Sequence, residues 1–138
     1  MEAPRSTVVM VDDEKTYVEF LAEMLASHLG WKVVTFGSAE AALDALPQLD
    51  AGVIVTDYNM PGIDGFEFIR RATPQLPGVP FIMISGHTLE FPAVEPSRFE
   101  ALRTILPKPF SWRKLADEIL QHSPALGSDR RTGAQSPT

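Results

Sequence analysis

The chain alternates between short, continuous apolar runs and longer segments in which apolar residues recur every three or four positions. Val8–Val11, Val53–Val55 and Phe81–Ile84 are continuous apolar stretches, and Ile105-Leu106 is a shorter one. Runs of this length bounded by turn residues predict strands covered on both faces, the setting of a parallel sheet. Trp31–Phe36 predicts one more strand. Between the runs, Val18, Leu21, Ala22, Leu25 and Leu29 keep helical spacing, and Gly30 is placed to end that helix. Ser38 is positioned to cap a helix through Leu46 that stops at Pro47. The third strand, Val53–Thr56, leads through a Met60-Pro61-Gly62 loop to a helix from about Gly65 to Ala72. Pro74, Pro77, Gly78 and Pro80 stiffen the entry to the fourth strand, and a last helix from Trp112 to Gln121 sets Leu115, Ala116, Ile119 and Leu120 on one face. Five strands alternating with helices predict an α/β, doubly wound, five-stranded parallel sheet.

One stretch breaks this rhythm. A crossover helix is due between Ser85 and Thr104, but Pro92 and Pro96 interrupt it. Proline inside a helix costs about 3 kcal/mol, which leaves Ser97–Leu102, capped by Ser97, as the comfortable helical piece. Beyond His122 the composition turns to Ser, Pro, Gly, Ala and Thr. The expected organisation is one domain over residues 6–122 and a disordered tail over 123–138.

Composition narrows the function classes. A length of 138 residues with 44% hydrophobic and 22% charged residues suits a single globular core. A net charge of −6 argues against direct nucleic-acid binding, which needs a basic face. No run has the length of a membrane span, Met1–Ser6 lacks the apolar core of a signal peptide, and the chain has no cysteine. The expectation is a cytoplasmic domain without membrane contact.

The chemistry gathers at the strand ends. Asp12-Asp13-Glu14 follows the first run, Asp57-Tyr58-Asn59 the third, Ser85-Gly86 the fourth, and Lys108-Pro109 the fifth. Parallel sheets place functional groups beyond the carboxyl ends of their strands, so these clusters are expected to converge. Asp57 is the candidate nucleophile, since a carboxylate can hold a phosphoryl group as an acyl phosphate. Asp12 and Asp13 suit Mg²⁺, which takes one or two carboxylates plus waters and phosphate oxygens, and the Asn59 backbone carbonyl is a further candidate ligand. Lys108 supplies a point charge for phosphoryl oxygens and Ser85 a hydroxyl donor. Taken singly, an Asp pair is a turn or cap, a Ser-Gly a loop and a Lys between prolines a surface residue. Their order at successive strand ends joins them.

At these residues the chain resembles the receiver domain of two-component response regulators, the CheY-like superfamily with a flavodoxin-like (βα)5 sandwich. The resemblance covers about residues 6 to 122 and rests on Val11–Glu14, Asp57–Gly65, Ser85-Gly86 and Lys108-Pro109-Phe110. It implies that Asp57 accepts a phosphoryl group from a histidine kinase or phosphotransfer protein. Asp12, Asp13, Asp57 and the Asn59 carbonyl are then the Mg²⁺ neighbourhood, with Asp13 a direct ligand. Lys108 and Ser85 attend the phosphoryl group, and the bond before Pro109 is often cis in such domains. The implied protein is a stand-alone phosphorelay regulator and not an enzyme beyond its own phosphorylation and dephosphorylation. It acts through an unidentified protein target, through onward transfer, or as a homodimer. The family's switch couples Ser85 to an aromatic residue three positions before the lysine. Here that position is Ile105, so the switch of Ser85 and Ile105 is atypical, and a relay through the Pro92/Pro96 segment is the expectation. His87, two residues past Ser85, reads as an exposed loop residue. Phe110 and Trp112 read as core anchors, and His28 as a surface residue near a helix end.

Three alternatives share parts of this pattern. Aspartyl-phosphate hydrolases of the haloacid dehalogenase type carry Asp-x-Asp after the first strand, where this chain has adjacent Asp12-Asp13. A flavodoxin-like cofactor binder needs a phosphate loop where those carboxylates repel phosphate. A receiver-fold module that signals by binding alone is expected to lack the Asp or the Lys, and both are present.

Overall fold

The computed structural model describes residues 7–86 and 100–123. Five strands, β1 (Thr7–Val11), β2 (Lys32–Phe36), β3 (Ala51–Asp57), β4 (Phe81–Ser85) and β5 (Leu102–Pro107), form one sheet in the order β2-β1-β3-β4-β5. All four pairings are parallel. The chain builds outward from β1 to β2 on one side and then from β3 to β5 on the other. The β1/β3 boundary is therefore the point where the winding reverses, and a crevice opens beyond the strand ends there.

Alternation along the strands divides the interior into two cores. Val8, Met10, Val53, Val55, Ile82 and Ile84 face α1 (Lys15–Leu29) and α4 (Trp112–His122). Val9, Val11, Ile54, Phe81 and Met83 face α2 (Ala39–Ala45) and α3 (Gly65–Ala72). Helices cover both faces, which is why the strand sequences read as unbroken apolar runs. Val18, Leu21 and Leu25 are the buried stripe of α1, and Gly30 ends that helix with φ 71°, a left-handed conformation that favours glycine. Ser38 accepts a hydrogen bond from the Ala41 amide, Asp64 from Glu67 and Ser111 from Lys114, so three helices begin on side-chain caps. Ser123 is buried and its hydroxyl donates to the Gly52 carbonyl at 3.1 Å, tying the end of α4 to the start of β3.

Several expected boundaries move. Pro47 does not stop the chain's turning, because it sits inside a 3-10 turn, Leu46–Gln48, where its missing N–H is not needed. Pro74 lies in a second such turn, Thr73–Gln75. Trp31 precedes β2 and is buried under α1, while β3 runs longer than Val53–Thr56 because the ladder with β1 starts at Ala51. Leu120 does not join the buried face of α4 and is 38% exposed. Leu102 opens β5 rather than closing a helix, since the Phe81 amide bonds to the Ala101 carbonyl and draws the chain into the sheet. Ser123, expected to open the tail, instead packs with the domain through its bond to Gly52; Pro92, Pro96, Ser97 and residues 124–138 lie outside the described residues.

Candidate functional site

Every strand-end cluster from the sequence arrives at the same end of the sheet. Val11 lies opposite Thr56, so Asp12 continues β1 beside Asp57 at the end of β3. The Asp12 amide donates to the Phe36 carbonyl at 3.0 Å. Its side-chain Oδ1 accepts the Glu14 amide at 2.9 Å, so a tight turn and the sheet fix this carboxylate together. On the other side, the Tyr58 amide donates to the Ile84 carbonyl at 2.8 Å, extending the β3–β4 ladder past Asp57.

Asp12 and Asp57 are buried, Asp13 is exposed, and carboxylate oxygens of the three lie within 4.8 Å of one another. Lys108 follows β5 and enters from the far side, its bond to Pro109 cis. Its amide donates to the Ser85 carbonyl at 2.9 Å, which brings the ends of β4 and β5 together. The Lys108 Nζ stands 3.6 Å from Asp57 Oδ1, 3.9 Å from Asp12 Oδ2 and 3.2 Å from Glu14 Oε1. It also lies 5.0 Å from the centre of the Tyr17 ring, which meets Phe110 edge-on at 6.1 Å.

Burial and crowding set the charges. Burial first, then the Asp12 carboxylate, push Asp57 up to about 6, against the pull of Lys108. Burial also raises Asp12, opposed by the Glu14 amide and Lys108. Lys108 loses solvation through burial, yet Asp57, Asp12 and Glu14 together outweigh that and hold its ammonium above its ordinary range. Three carboxylates against one ammonium leave net negative charge in a partly buried crevice. Hard oxygen donors at this spacing fit a divalent cation such as Mg²⁺, which accepts few protein carboxylates and keeps waters.

Ser85 is fully buried at the end of β4. Asn59 is exposed in the turn after β3. Ile105 is half-buried against the core on the α2–α3 side and pairs with Met83 in the sheet. Phe110 and Trp112 pack on the opposite core, as expected of anchors, and His28 is exposed with its ring 4.8 Å from Trp112. His87 lies outside the described residues. Two contributors had no role assigned from the sequence, Glu14 and Tyr17. Glu14 sits just before α1 and Tyr17 in its first turn, so both flank the Asp-Asp-Glu turn that opens the site.

The sequence profile of the response regulator receiver domain matches residues 8–120. The chain belongs to that family. The receiver is 35% identical over 126 residues to the transcriptional regulatory protein FixJ of Bradyrhizobium diazoefficiens, covering 88% of this chain and 60% of FixJ. It is 32% identical over 120 residues to the response regulator protein FleR of Pseudomonas aeruginosa, covering 87% of this chain and 24% of FleR. It thus spans less than two thirds of either relative's length. Among solved structures, FixJ-N superposes with a TM-score of 0.74 at 34% identity, over 90% of this chain and 96% of that one. A CheY-like receiver protein from Methanospirillum hungatei gives a TM-score of 0.75 at 20% identity, over 90% and 98%, a likeness of fold. Among the described residues no helix is long and apolar enough to cross a membrane.

Proposed function

We propose that this receiver accepts a phosphoryl group on Asp57 from a histidine kinase or a phosphotransfer protein. It then signals by altered binding to another protein or by passing the group on. The observation that carries this reading is the Asp57 carboxylate, buried at the end of a central strand beside Asp12 and 3.6 Å from the Lys108 ammonium. An Asp57 oxygen forms the new bond to phosphorus as the bond from phosphorus to the donor imidazole breaks. The electron pair leaves with the imidazole, which takes up a proton. With Asp57 titrating near 6, most of it is ionised at neutral pH and ready to attack. Lys108 draws charge from the phosphoryl oxygens and Ser85 offers a hydroxyl hydrogen bond. Asp12, Asp13, Asp57 and the Asn59 carbonyl are the groups that would hold Mg²⁺. When bound, the ion offsets repulsion between an anionic acceptor and an anionic donor.

The chain's own residues suit acceptance of a group rather than turnover of a separate substrate. At the switch position Ile105, beside Met83 in the sheet, has neither ring nor hydroxyl, so the response to phosphorylation runs without an aromatic rotation at that position.

Intact-mass spectrometry after incubation with Mg²⁺ and acetyl phosphate tests the acceptor. The expected result is a gain of one phosphoryl group that disappears in Asp57→Asn and in EDTA. A gain that persists in Asp57→Asn places the acceptor elsewhere.

A further inference from the structure

The Lys108 ammonium is not nearest to the group it is expected to serve. Of the three carboxylates around it, Glu14 is closest at 3.2 Å, within hydrogen-bonding distance, while Asp57 and Asp12 stand at 3.6 and 3.9 Å. Glu14 occupies the position before α1, where a side chain ordinarily caps the helix, and makes no such bond. Its backbone serves there instead, the amide donating to Asp12 Oδ1 and the carbonyl accepting from the Val18 amide. Its carboxylate is turned to a lysine 94 positions away in sequence. Tyr17, in the first turn of α1, completes the cradle with its ring 5.0 Å from the ammonium and in a T-shaped contact with Phe110.

We propose that Glu14 is a positioning residue that parks Lys108 in the unphosphorylated receiver and must release it as the phosphoryl group arrives at Asp57. The inference rests on the reading of Asp57 as the acceptor. A phosphoryl group on Asp57 carries close to two negative charges near neutral pH, in place of the single charge on the free carboxylate. They lie beside a lysine only 23% exposed, whereas the Glu14 side chain is 63% exposed. Coulombic attraction is stronger where water is excluded, so the ammonium moves from the exposed carboxylate to the buried phosphoryl oxygens. The Glu14 contact stabilises the starting state without following the charge into the transition state, and an interaction of that kind slows the step. The screened exposure of Glu14 keeps the hold weak enough to yield.

The test compares wild type with Glu14→Gln by following phosphorylation with intact-mass spectrometry at saturating Mg²⁺. Acetyl phosphate is the donor and phosphoramidate the second donor. In the acetyl phosphate reaction the Asp57 oxygen bonds to phosphorus and acetate leaves with the electron pair of the broken P–O bond. Glu14→Gln is expected to raise the maximal rate about two- to fivefold, the range of one exposed ion pair, with the donor KM little changed. In a Lys108→Gln background the same substitution is expected to change nothing. A gain confined to KM reflects donor repulsion by the Glu14 charge and overturns the proposal. So does an equal gain without Lys108, an unchanged rate, or a slower one. If neither donor labels wild type, the reading of Asp57 itself falls, and this inference falls with it.

Discussion

At the scale of single residues, Asp57 joins chemistry to stability. Its titration near 6 reflects burial and the neighbouring Asp12, so its charged form is disfavoured in the fold relative to the unfolded chain, which titrates near 3.8. Between about pH 4 and 6 the folded protein keeps a proton that the unfolded chain has lost. Stability therefore declines as pH rises through this window and the penalty is complete above it. A shift of this size corresponds to about 2–3 kcal/mol. Asp57→Asn removes the charge while keeping the shape. In metal-free buffer it is expected to be more stable than wild type by about 1–3 kcal/mol at pH 7, with the margin falling to about a third of that at pH 4.5. Urea unfolding of both proteins at the two pH values reads the margin directly. A margin that does not change with pH means that burial of the Asp57 charge costs nothing.

At the scale of elements, the β3–α3 connection holds Asp57 in place, and Gly65 is the residue that permits it. A Cβ built there meets the Asp57 carbonyl oxygen at 2.9 Å, Met83 Cε at 3.0 Å and Tyr58 Cα at 3.1 Å. The Gly65 amide also donates to the Tyr58 carbonyl at 2.9 Å, so the first turn of α3 presses on the end of β3. Two of the three obstacles are backbone and can move only by shifting Asp57. Gly65→Ala is expected to cost about 1–3 kcal/mol by overpacking, despite alanine's better helix propensity, and to slow phosphorylation with it. Thermal or urea unfolding at wild-type stability would show that the connection yields elsewhere. Asp64-Gly65 was legible in the sequence as a helix opening, as were Ser38 as a cap and the apolar runs as strands, because each is a local signal. The end of the helix expected at Ser97–Leu102 carries no local signal of its true place, since Leu102 is drawn into β5 by pairing with Phe81, 21 residues away. The meeting of Asp12, Asp57 and Lys108 followed from strand-end positions and parallel topology. The part played by Glu14 and Tyr17 did not, because it depends on where a flexible lysine side chain comes to rest.

At the scale of the whole molecule, two apolar cores bracket a sheet whose winding reverses above a crevice of uncompensated negative charge. The cores keep that crevice assembled, and a cation bound there couples to the stability of the entire fold, since the unfolded chain has no such site. At the proposed cation site, protons compete with the ion for the Asp57 oxygens. At pH 7 only about a tenth of Asp57 carries a proton if it titrates near 6. At pH 5 about nine tenths does, which lowers apparent Mg²⁺ affinity about tenfold. With Mg²⁺ at about ten times its pH 7 dissociation constant, linkage gives about 1.4 kcal/mol at pH 7 and about 0.4 kcal/mol at pH 5. For a domain of this size the expected rise in Tm is about 4 °C at pH 7 and about 1 °C at pH 5. Asp13→Asn is expected to abolish most of both shifts, because it removes the exposed carboxylate of the set while leaving the buried pair in place. Thermal unfolding with Mg²⁺ or EDTA at the two pH values separates the possibilities. A shift of equal size at both pH values would mean that the ion binds without displacing the Asp57 proton, and the cation would then belong to a different group of oxygens from the one gathered above β1 and β3.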